Sequence, residues 1–222
     1  MNQGPWTDYL GEIWSALQET LFMVAFAAFF TFVLGLCLGI VLYVTGPRGI
    51  LSNRVIYGVL DVAVNIARSL PFVILLISIM PLTRFLVGTS LGATAAVVPL
   101  TLGTAPFFSR VVETALREVD HGLIEAAQSM GATNGDLVLK VLLPEALPSL
   151  LAGVTLTLVM FVDYSAMAGA IGAGGLGNFA IKYGYERFDT DLMVATVAVL
   201  IALVQLLQTS GNQIVRRVSR RR

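Results

Sequence analysis

The chain has 222 residues, of which 56% are hydrophobic and only 13% are charged, and its mean hydropathy is +0.82. This composition excludes an ordinary water-soluble domain and indicates a membrane protein. Basic and acidic residues cancel at 14 each, so no excess charge attracts nucleic acid. With one cysteine, Cys37, and one histidine, His121, the chain cannot build a disulfide framework or a His/Cys metal cluster. We expect neither a metal site nor a catalytic residue.

Long uncharged runs predict membrane-spanning helices, because about 20 helical residues cross the hydrocarbon and a helix satisfies its own backbone hydrogen bonds there. We predict an all-α fold, a polytopic helical membrane protein with one transmembrane domain over residues 1–222. Its five spans are expected at about 18–44, 57–80, 86–109, 147–168 and 192–215. The second span contains Pro71, which predicts a kink.

Three charged residues lie inside predicted spans, where an ionised group costs roughly 2.5 to 3.5 kcal/mol unless it has a partner or water. Asp61 and Arg68 are two helical turns apart, so an ion pair between them is one expectation. Asp163 either lines a polar path, pairs with Arg68, or lies at a close helix contact made by the small residues near Gly169. The residues that would line such a path are Asp163, Tyr164, Ser165 and Met167.

Five spans place the two ends of the chain on opposite sides of the membrane, and the side richer in Lys and Arg is cytoplasmic. Three basic residues, Arg84, Lys182 and Arg187, fall on one side. The other side carries ten, namely Arg48, Arg54, Arg110, Arg117, Lys140, Arg216, Arg217, Arg220, Arg221 and Arg222. We therefore expect an extracytoplasmic N-terminus and a cytoplasmic C-terminus in a bacterial inner membrane, with the closing arginines against lipid headgroups.

The loop 110–146 is the only long polar region, and its local signals predict two short helices. Gly131 suits the left-handed position that closes the first helix. Thr133 and Asp136 are three residues apart, which predicts a capping pair at the start of the second. Pro144 is expected to interrupt the helix where the fourth span begins.

A longer pattern runs through the same loop: Glu125-Ala126-Ala127, after three residues Gly131, and after nine more Val141-Leu142-Leu143-Pro144. This twenty-residue pattern resembles the EAA loop of bacterial ABC importer permeases. Other stretches between about Arg68 and Arg187 are similar to the methionine-importer branch of that family, among them RSLPFVILL, LIEAAQSMGAT and DYSAMAGAIGAGGLG.

The resemblance implies the type I ABC importer permease fold and a coupling helix that docks into a groove on a separate ATP-hydrolysing subunit. In such a contact, Leu123, Ile124 and Met130 offer an apolar face, and Glu125 offers a carboxylate to a basic residue. The residues assigned to ATPase coupling are Leu123, Ile124, Glu125, Ala126, Ala127, Met130 and Gly131.

The resemblance further implies a permease that carries D- or L-methionine into the cytoplasm by alternating access and is not itself an enzyme. No phosphate-binding G-x-x-x-x-G-K-[ST] motif occurs, so we expect no cofactor in this chain, and ATP and Mg bind the partner ATPase. Expected partners are a second copy in a homodimer, two ATP-binding subunits on the cytoplasmic side, an extracytoplasmic methionine-binding protein and membrane lipid, but no nucleic acid.

Other interpretations stay open at this point. The chain could be a permease for another small amino acid or a related solute, an ion-coupled secondary transporter with Asp61 or Asp163 as its proton site, or a membrane scaffold. Gly172, Gly174 and Gly177 match G-x-G-x-x-G, but a membrane span precedes them instead of a strand, so we expect no dinucleotide site. The resemblance suggests instead the outer mouth of the pathway, contacted by the binding protein.

Overall fold

The computed structural model describes residues 6–47 and 49–219, and these residues form helices and no strand. The helices are α1 (Trp6–Thr45), α2 (Arg54–Ser69), α3 (Phe72–Ser78), α4 (Met80–Val87), α5 (Ala93–Arg117), α6 (His121–Ser129), α7 (Asn134–Asp136), α8 (Leu143–Ala168), α9 (Gly175–Phe179) and α10 (Thr190–Ser219). Wider π-helical turns occupy Leu137–Leu142, Gly169–Ala173 and Ala180–Tyr185. Arg48 and Arg220 to Arg222, which belong to the predicted basic side, lie outside the described residues.

Among the described residues, four helical stretches are long and apolar enough to cross a membrane: Tyr9–Thr45, Ala93–Arg117, Asn134–Ala173 and Thr190–Ser219. A bent pair, α2 with α3, gives a fifth if the two are counted as one span. This architecture agrees with the predicted polytopic helical fold.

The kink predicted at Pro71 in the second span is a full break, at which α2 and α3 are bent by 102°. Asn53 begins α2, where its side chain accepts hydrogen bonds from the amides of Val55 (3.0 Å) and Ile56 (3.1 Å). The helix stops at Leu70, which is extended at φ −78° and ψ 127°. Pro71 disfavours helical backbone at the residue before it, so the kink becomes a full break.

The third predicted span, 86–109, is also displaced. Its helix, α5, begins only at Ala93, because Gly88 and Gly92 adopt positive φ angles of 84° and 91° that end α4 and separate it from α5. The same helix continues past residue 109 to Arg117, so its last two turns belong to what was predicted as loop.

The expected interruption at Pro144 does not occur. The helix runs from Asn134 through the π-helical turn into α8, and the amide of Leu143 donates to the carbonyl of Val138 five residues earlier. Pro144 directly follows this π-helical turn and lies inside the continuous helix without ending it. The polar loop is therefore joined to the fourth span by continuous helix.

The chain divides into two compact units. The first comprises the described parts of Met1–Phe30, Pro71–Gly103 and Leu158–Leu207, and the second those of Thr31–Leu70, Thr104–Thr157 and Gln208–Arg222. In the first unit, the residues of α1 and α10 pack around a core of Ala16, Leu176, Phe179, Tyr183 and Leu192. In the second unit, the core includes Tyr43, Phe108, Val112, Leu116, Ile124, Ala127, Leu137 and Leu142.

Candidate functional site

The coupling segment, defined as α6 with its flanking residues 120–133, belongs to the second unit and has well-defined ends. Asp120 caps α6 by accepting a hydrogen bond of 2.7 Å from the amide of Gly122. At the other end Gly131 adopts φ +84°, and the next amide, that of Ala132, donates to the carbonyl of Ala127 at 3.0 Å. The predicted left-handed glycine is confirmed.

One face of α6 is part of the core of the second unit. Ile124 is 5% exposed and Ala127 is 7% exposed, whereas Leu123 and Met130 are exposed at 45% and 82%. The prediction that Ile124 offers an apolar surface to a partner is therefore wrong, because residues three apart on a helix share a face and this face is covered by the chain itself. Leu123 and Met130 remain as the exposed apolar residues of the segment.

Glu125 lies on the open side of α6. Its side chain is 71% exposed, and one carboxylate oxygen is 3.2 Å from Nδ1 of His121, which is also exposed. Ala126 beside it is exposed as well. The segment thus presents a carboxylate next to apolar atoms, an arrangement that a helix-binding groove with a basic side chain fits.

The predicted capping pair of the second helix is confirmed. Thr133 Oγ1 accepts from the amide of Asp136 at 3.2 Å, and the amide of Thr133 donates to Asp136 Oδ2 at 3.2 Å. Leu137 and Leu142, both fully buried, then pack in the same core as Ile124. The buried side chains of α6 and of the helix that continues into α8 therefore share one core.

A charged network lies next to this core, on α2 and α5. Glu113 has a side chain only 3% exposed, and its two oxygens accept hydrogen bonds of 2.6 Å from Arg110 and Arg117. Arg110 also pairs with Asp61, and Arg117 donates to the hydroxyl of Tyr57 at 3.1 Å. The expected ion pair between Asp61 and Arg68 is thus wrong, since Asp61 is held by a cation on another helix. The network went unrecognised in the sequence, although the spacing of Arg110, Glu113 and Arg117 places all three on one helix face.

The predicted pathway residues lie in the first unit, on the last turns of α8, and the structure brings only some of them together. Asp163 is exposed and shares a face with Met167, which is 44% exposed. Tyr164 is half-buried and stacks on Phe72 with ring centroids 4.2 Å apart and planes within 11°. Ser165 is 2% exposed and donates to the carbonyl of Val162 at 2.7 Å, so its prediction as a path-lining residue is wrong.

The glycine-rich segment 172–177 is fastened to α1 within the first unit. The amide of Gly175 donates to Glu19 Oε2 at 2.6 Å, and the amide of Leu176 donates to Thr20 Oγ1 at 2.9 Å. Gly174 has φ +83°, a left-handed conformation that favours glycine, and a Cβ there would lie 2.4 Å from Glu19 Oε2 and displace that carboxylate. The contact between α1 and this segment was not predicted from the sequence.

Sites for nucleotide and metal are missing from the part of the chain that the structure describes. No strand precedes the glycine-rich segment in residues 6–47 and 49–219, as a dinucleotide-binding fold requires. Across the same residues no three His, Cys, Asp or Glu side chains converge. What the geometry offers is a short helix with exposed Leu123, Glu125 and Met130, a charged network around the buried Glu113 and exposed polar groups within spans, features that are typical of a membrane transport subunit.

Comparison with known families agrees with this class. Residues 35–222 match the family described as "Binding-protein-dependent transport system inner membrane component". The chain belongs to this family of inner-membrane transport components, and its multi-pass helical fold places it in that membrane.

Individual relatives and solved structures cover nearly the whole chain. It is 52% identical over 207 residues to the probable D-methionine transport system permease protein MetI of Vibrio cholerae, covering 93% of this chain and 92% of the relative. It is 46% identical over 213 residues to the methionine import system permease protein MetP of Bacillus subtilis, covering 96% of each. An inward-facing structure of the MetNI methionine ABC transporter superposes with a TM-score of 0.94 at 48% identity over 98% of this chain and 99% of that one. The importer-permease fold prediction is confirmed.

Proposed function

We propose that this chain is the membrane-spanning subunit of an ATP-driven importer that carries methionine, of either hand, into the cytoplasm. The observation that carries the proposal is α6, a short helix with one face in the core and Leu123, Glu125 and Met130 exposed on the other. The methionine-permease names of relatives at 46% to 52% identity support the solute assignment. An ion-coupled transporter works without an ATP-binding subunit, so that mechanism does not explain such a docking helix.

The proposed coupling route begins at α6, which docks on an ATP-binding subunit. The groove contacts Leu123, Glu125, Ala126 and Met130, while Ile124 and Ala127 keep their places in the core and pass displacement to Leu137 and Leu142. Reversing a two-state equilibrium from 1:99 to 99:1 takes about 5.5 kcal/mol, which nucleotide-driven closure of a partner can deliver. ATP and Mg act on that partner, because this chain has no phosphate-binding loop.

The proposed assembly contains two copies of this chain, two ATP-binding subunits on the cytoplasmic side and an extracytoplasmic methionine-binding protein. Exposed charge within a span supports a second copy. An ionised Asp163 facing lipid would cost roughly 2.5 to 3.5 kcal/mol, whereas a two-fold axis with a water-filled path between copies removes that cost.

Within that path, Asp163 attracts the ammonium group of the amino acid and Met167 contacts its apolar side chain. The two residues are four apart on α8 and both are exposed, so one solute can reach both. Tyr164 stacks on Phe72, and this contact stabilises the same stretch of α8. The glycine-rich segment forms the outer mouth, where the binding protein delivers its cargo.

The proposed orientation has the N-terminus outside and the C-terminus in the cytoplasm. The distribution of basic residues, ten on one side and three on the other, supports it. Reporter fusions before Trp6 and after Arg222 test it directly. Reporters that place both ends on one side contradict the proposed topology.

The test of the function is reconstituted uptake. The chain is purified with its ATP-binding subunit, placed in proteoliposomes that contain ATP, and supplied with binding protein and radiolabelled methionine outside. We expect uptake that stops when ATP is replaced by ADP and that unlabelled methionine, but not unlabelled histidine or glutamate, abolishes. Uptake that continues with ADP and depends on a proton gradient would refute the ATP-driven assignment.

A further inference from the structure

A mostly apolar groove of about 440 Å³ with several polar side chains lies in the second unit between α2, α5 and α8. We call it the α2–α5–α8 groove. Its volume falls within the range of about 300 to 1,000 Å³ that small-molecule sites occupy. The residues that matter to its chemistry are Arg68, Phe107, Arg110, Thr114, Glu118 and Ser149.

Arg68 is a charged residue of this groove that has no ion-pair partner among the described residues. Arg110 is held by Asp61 and Glu113, and Glu118 accepts a hydrogen bond of 2.8 Å from Ser149. Arg68, by contrast, is exposed and makes no ion pair with any residue in 6–47 or 49–219. Its guanidinium carbon lies 6.0 Å from the ring centroid of Phe107, a contact that orients the group and leaves its N–H donors unused.

The depth of Arg68 decides what kind of anion can reach it. On the proposed topology α2 begins on the cytoplasmic side at Arg54, and Arg68 is fourteen residues further, about 21 Å along the helix at 1.5 Å per residue. Its guanidinium therefore lies inside a hydrocarbon layer about 30 Å thick and not at the cytoplasmic surface. A lipid phosphate stays at the interface and does not reach this depth. A solute anion that is carried across the membrane passes through this depth.

We propose that Arg68 binds the carboxylate of the transported amino acid while the solute occupies the α2–α5–α8 groove. The planar guanidinium can form two parallel hydrogen bonds with a carboxylate, the strongest pairing available to either group. Phe107 and Leu156 line the groove with apolar surface for a thioether side chain. This inference rests on the proposed function and adds a second binding position for the same solute, which contacts Asp163 and Met167 at one stage of transport and the α2–α5–α8 groove at another.

The test uses a cysteine reporter in the groove. Thr114 is exposed there, so Thr114→Cys is made in a Cys37→Ser background and alkylated in the nucleotide-free complex with the ATP-binding subunit. Mass spectrometry of the intact chain gives the alkylation rate. A second reporter, Ser52→Cys, is exposed and lies outside the groove. We expect methionine to slow alkylation at Thr114→Cys and leave the Ser52→Cys rate unchanged.

Two comparisons assign the protection to Arg68. Methioninamide, which lacks the carboxylate, is expected not to protect at concentrations where methionine protects fully. Arg68→Gln is expected to raise the half-protecting methionine concentration roughly tenfold or more, as loss of a charge-assisted hydrogen bond requires. Arg68→Lys, which keeps the charge but not the planar pair, is expected to give a smaller rise. The control Arg84→Gln removes an exposed arginine outside the groove and is expected to change nothing.

Several results would overturn the assignment. Methionine that fails to protect Thr114→Cys in a complex shown to take up methionine refutes the inference and leaves the proposed function intact, whereas absence of ATP-driven uptake refutes the function first. Equal protection by methioninamide, or unchanged protection in Arg68→Gln, also refutes it. If Arg68→Gln releases single copies of the chain, the groove belongs to the contact between copies. If that variant does not assemble, the methioninamide comparison on unaltered Arg68 decides.

Discussion

Replacing Glu113 with glutamine removes one charge from the buried network and changes almost nothing else. The side chain is 3% exposed, and each of its oxygens accepts a hydrogen bond of 2.6 Å, one from Arg110 and one from Arg117. Glutamine has nearly the same volume, but its amide nitrogen is a donor and would face one of the two guanidinium groups. One hydrogen bond is lost, and the two cations lose the anion between them.

The expected cost is about 1.5 to 3 kcal/mol, that of a lost hydrogen bond between charged groups, because Arg110 keeps Asp61 as a partner and Arg117 is 51% exposed. With roughly 2 to 4 °C of Tm per kcal/mol for a chain of this length, Glu113→Gln is expected to lower the Tm by about 3 to 12 °C. The assay is size-exclusion chromatography of the detergent-solubilised complex after heating, with the remaining assembled fraction plotted against temperature.

The matched control is Glu118→Gln, one residue beyond the end of the same helix. Its carboxylate is exposed and accepts one hydrogen bond from Ser149, so the loss is expected to stay below about 1 kcal/mol. A Tm for Glu113→Gln within about 2 °C of the unaltered complex, or equal to that of Glu118→Gln, would show that the network contributes no stability.

Three further substitutions test the remaining sites. Glu125→Ala is expected to weaken binding of the ATP-binding subunit by about 1.5 to 3 kcal/mol, because a charge-assisted hydrogen bond is lost; unchanged co-purification and uptake would contradict docking through this carboxylate. Asp163→Asn is expected to raise the half-saturating methionine concentration in the uptake assay while basal ATPase activity stays near normal, and normal uptake kinetics would remove it from the path. Gly174→Ala is expected to reduce the assembled complex, because its Cβ would meet the Glu19 carboxylate at 2.4 Å and its φ is +83°. Gly58→Ala, where no atom lies within 4 Å, is the control, and equal yields would argue against a tight contact.

Local sequence signals gave the ends of the coupling segment, because caps are decided by residues two to five positions apart. Gly131 and the pair Thr133 and Asp136 are examples. The buried face of α6 could not be read in this way. Apolar residues occur on several sides of that helix, at 123, 124, 127 and 130, so only the packing of the rest of the second unit decides which are covered.

Contacts between distant parts of the chain explain the other differences. Asp61 and Arg110 are 49 residues apart, and no spacing rule within one helix could pair them. Pro71 predicted a kink, but not the angle of 102° between α2 and α3. A proline determines only that a backbone hydrogen bond is lost, and the direction of the next helix depends on what that helix packs against. Ser165 illustrates the same limit, because its burial depends on neighbours that the local sequence does not name.

The contacts that α1 makes with the later part of the chain can form only after most of the protein has been synthesised. Glu12 and Glu19 enter the membrane with the first helix, but their partners, the hydroxyl of Tyr183 and the amide of Gly175, follow 171 and 156 residues later. Until the ribosome has made those residues, both carboxylates must stay hydrated or be shielded by the insertion machinery. A chain cut short before residue 175 therefore leaves the carboxylates of Glu12 and Glu19 without these two partners, so α1 is anchored only when the last third of the chain has been made.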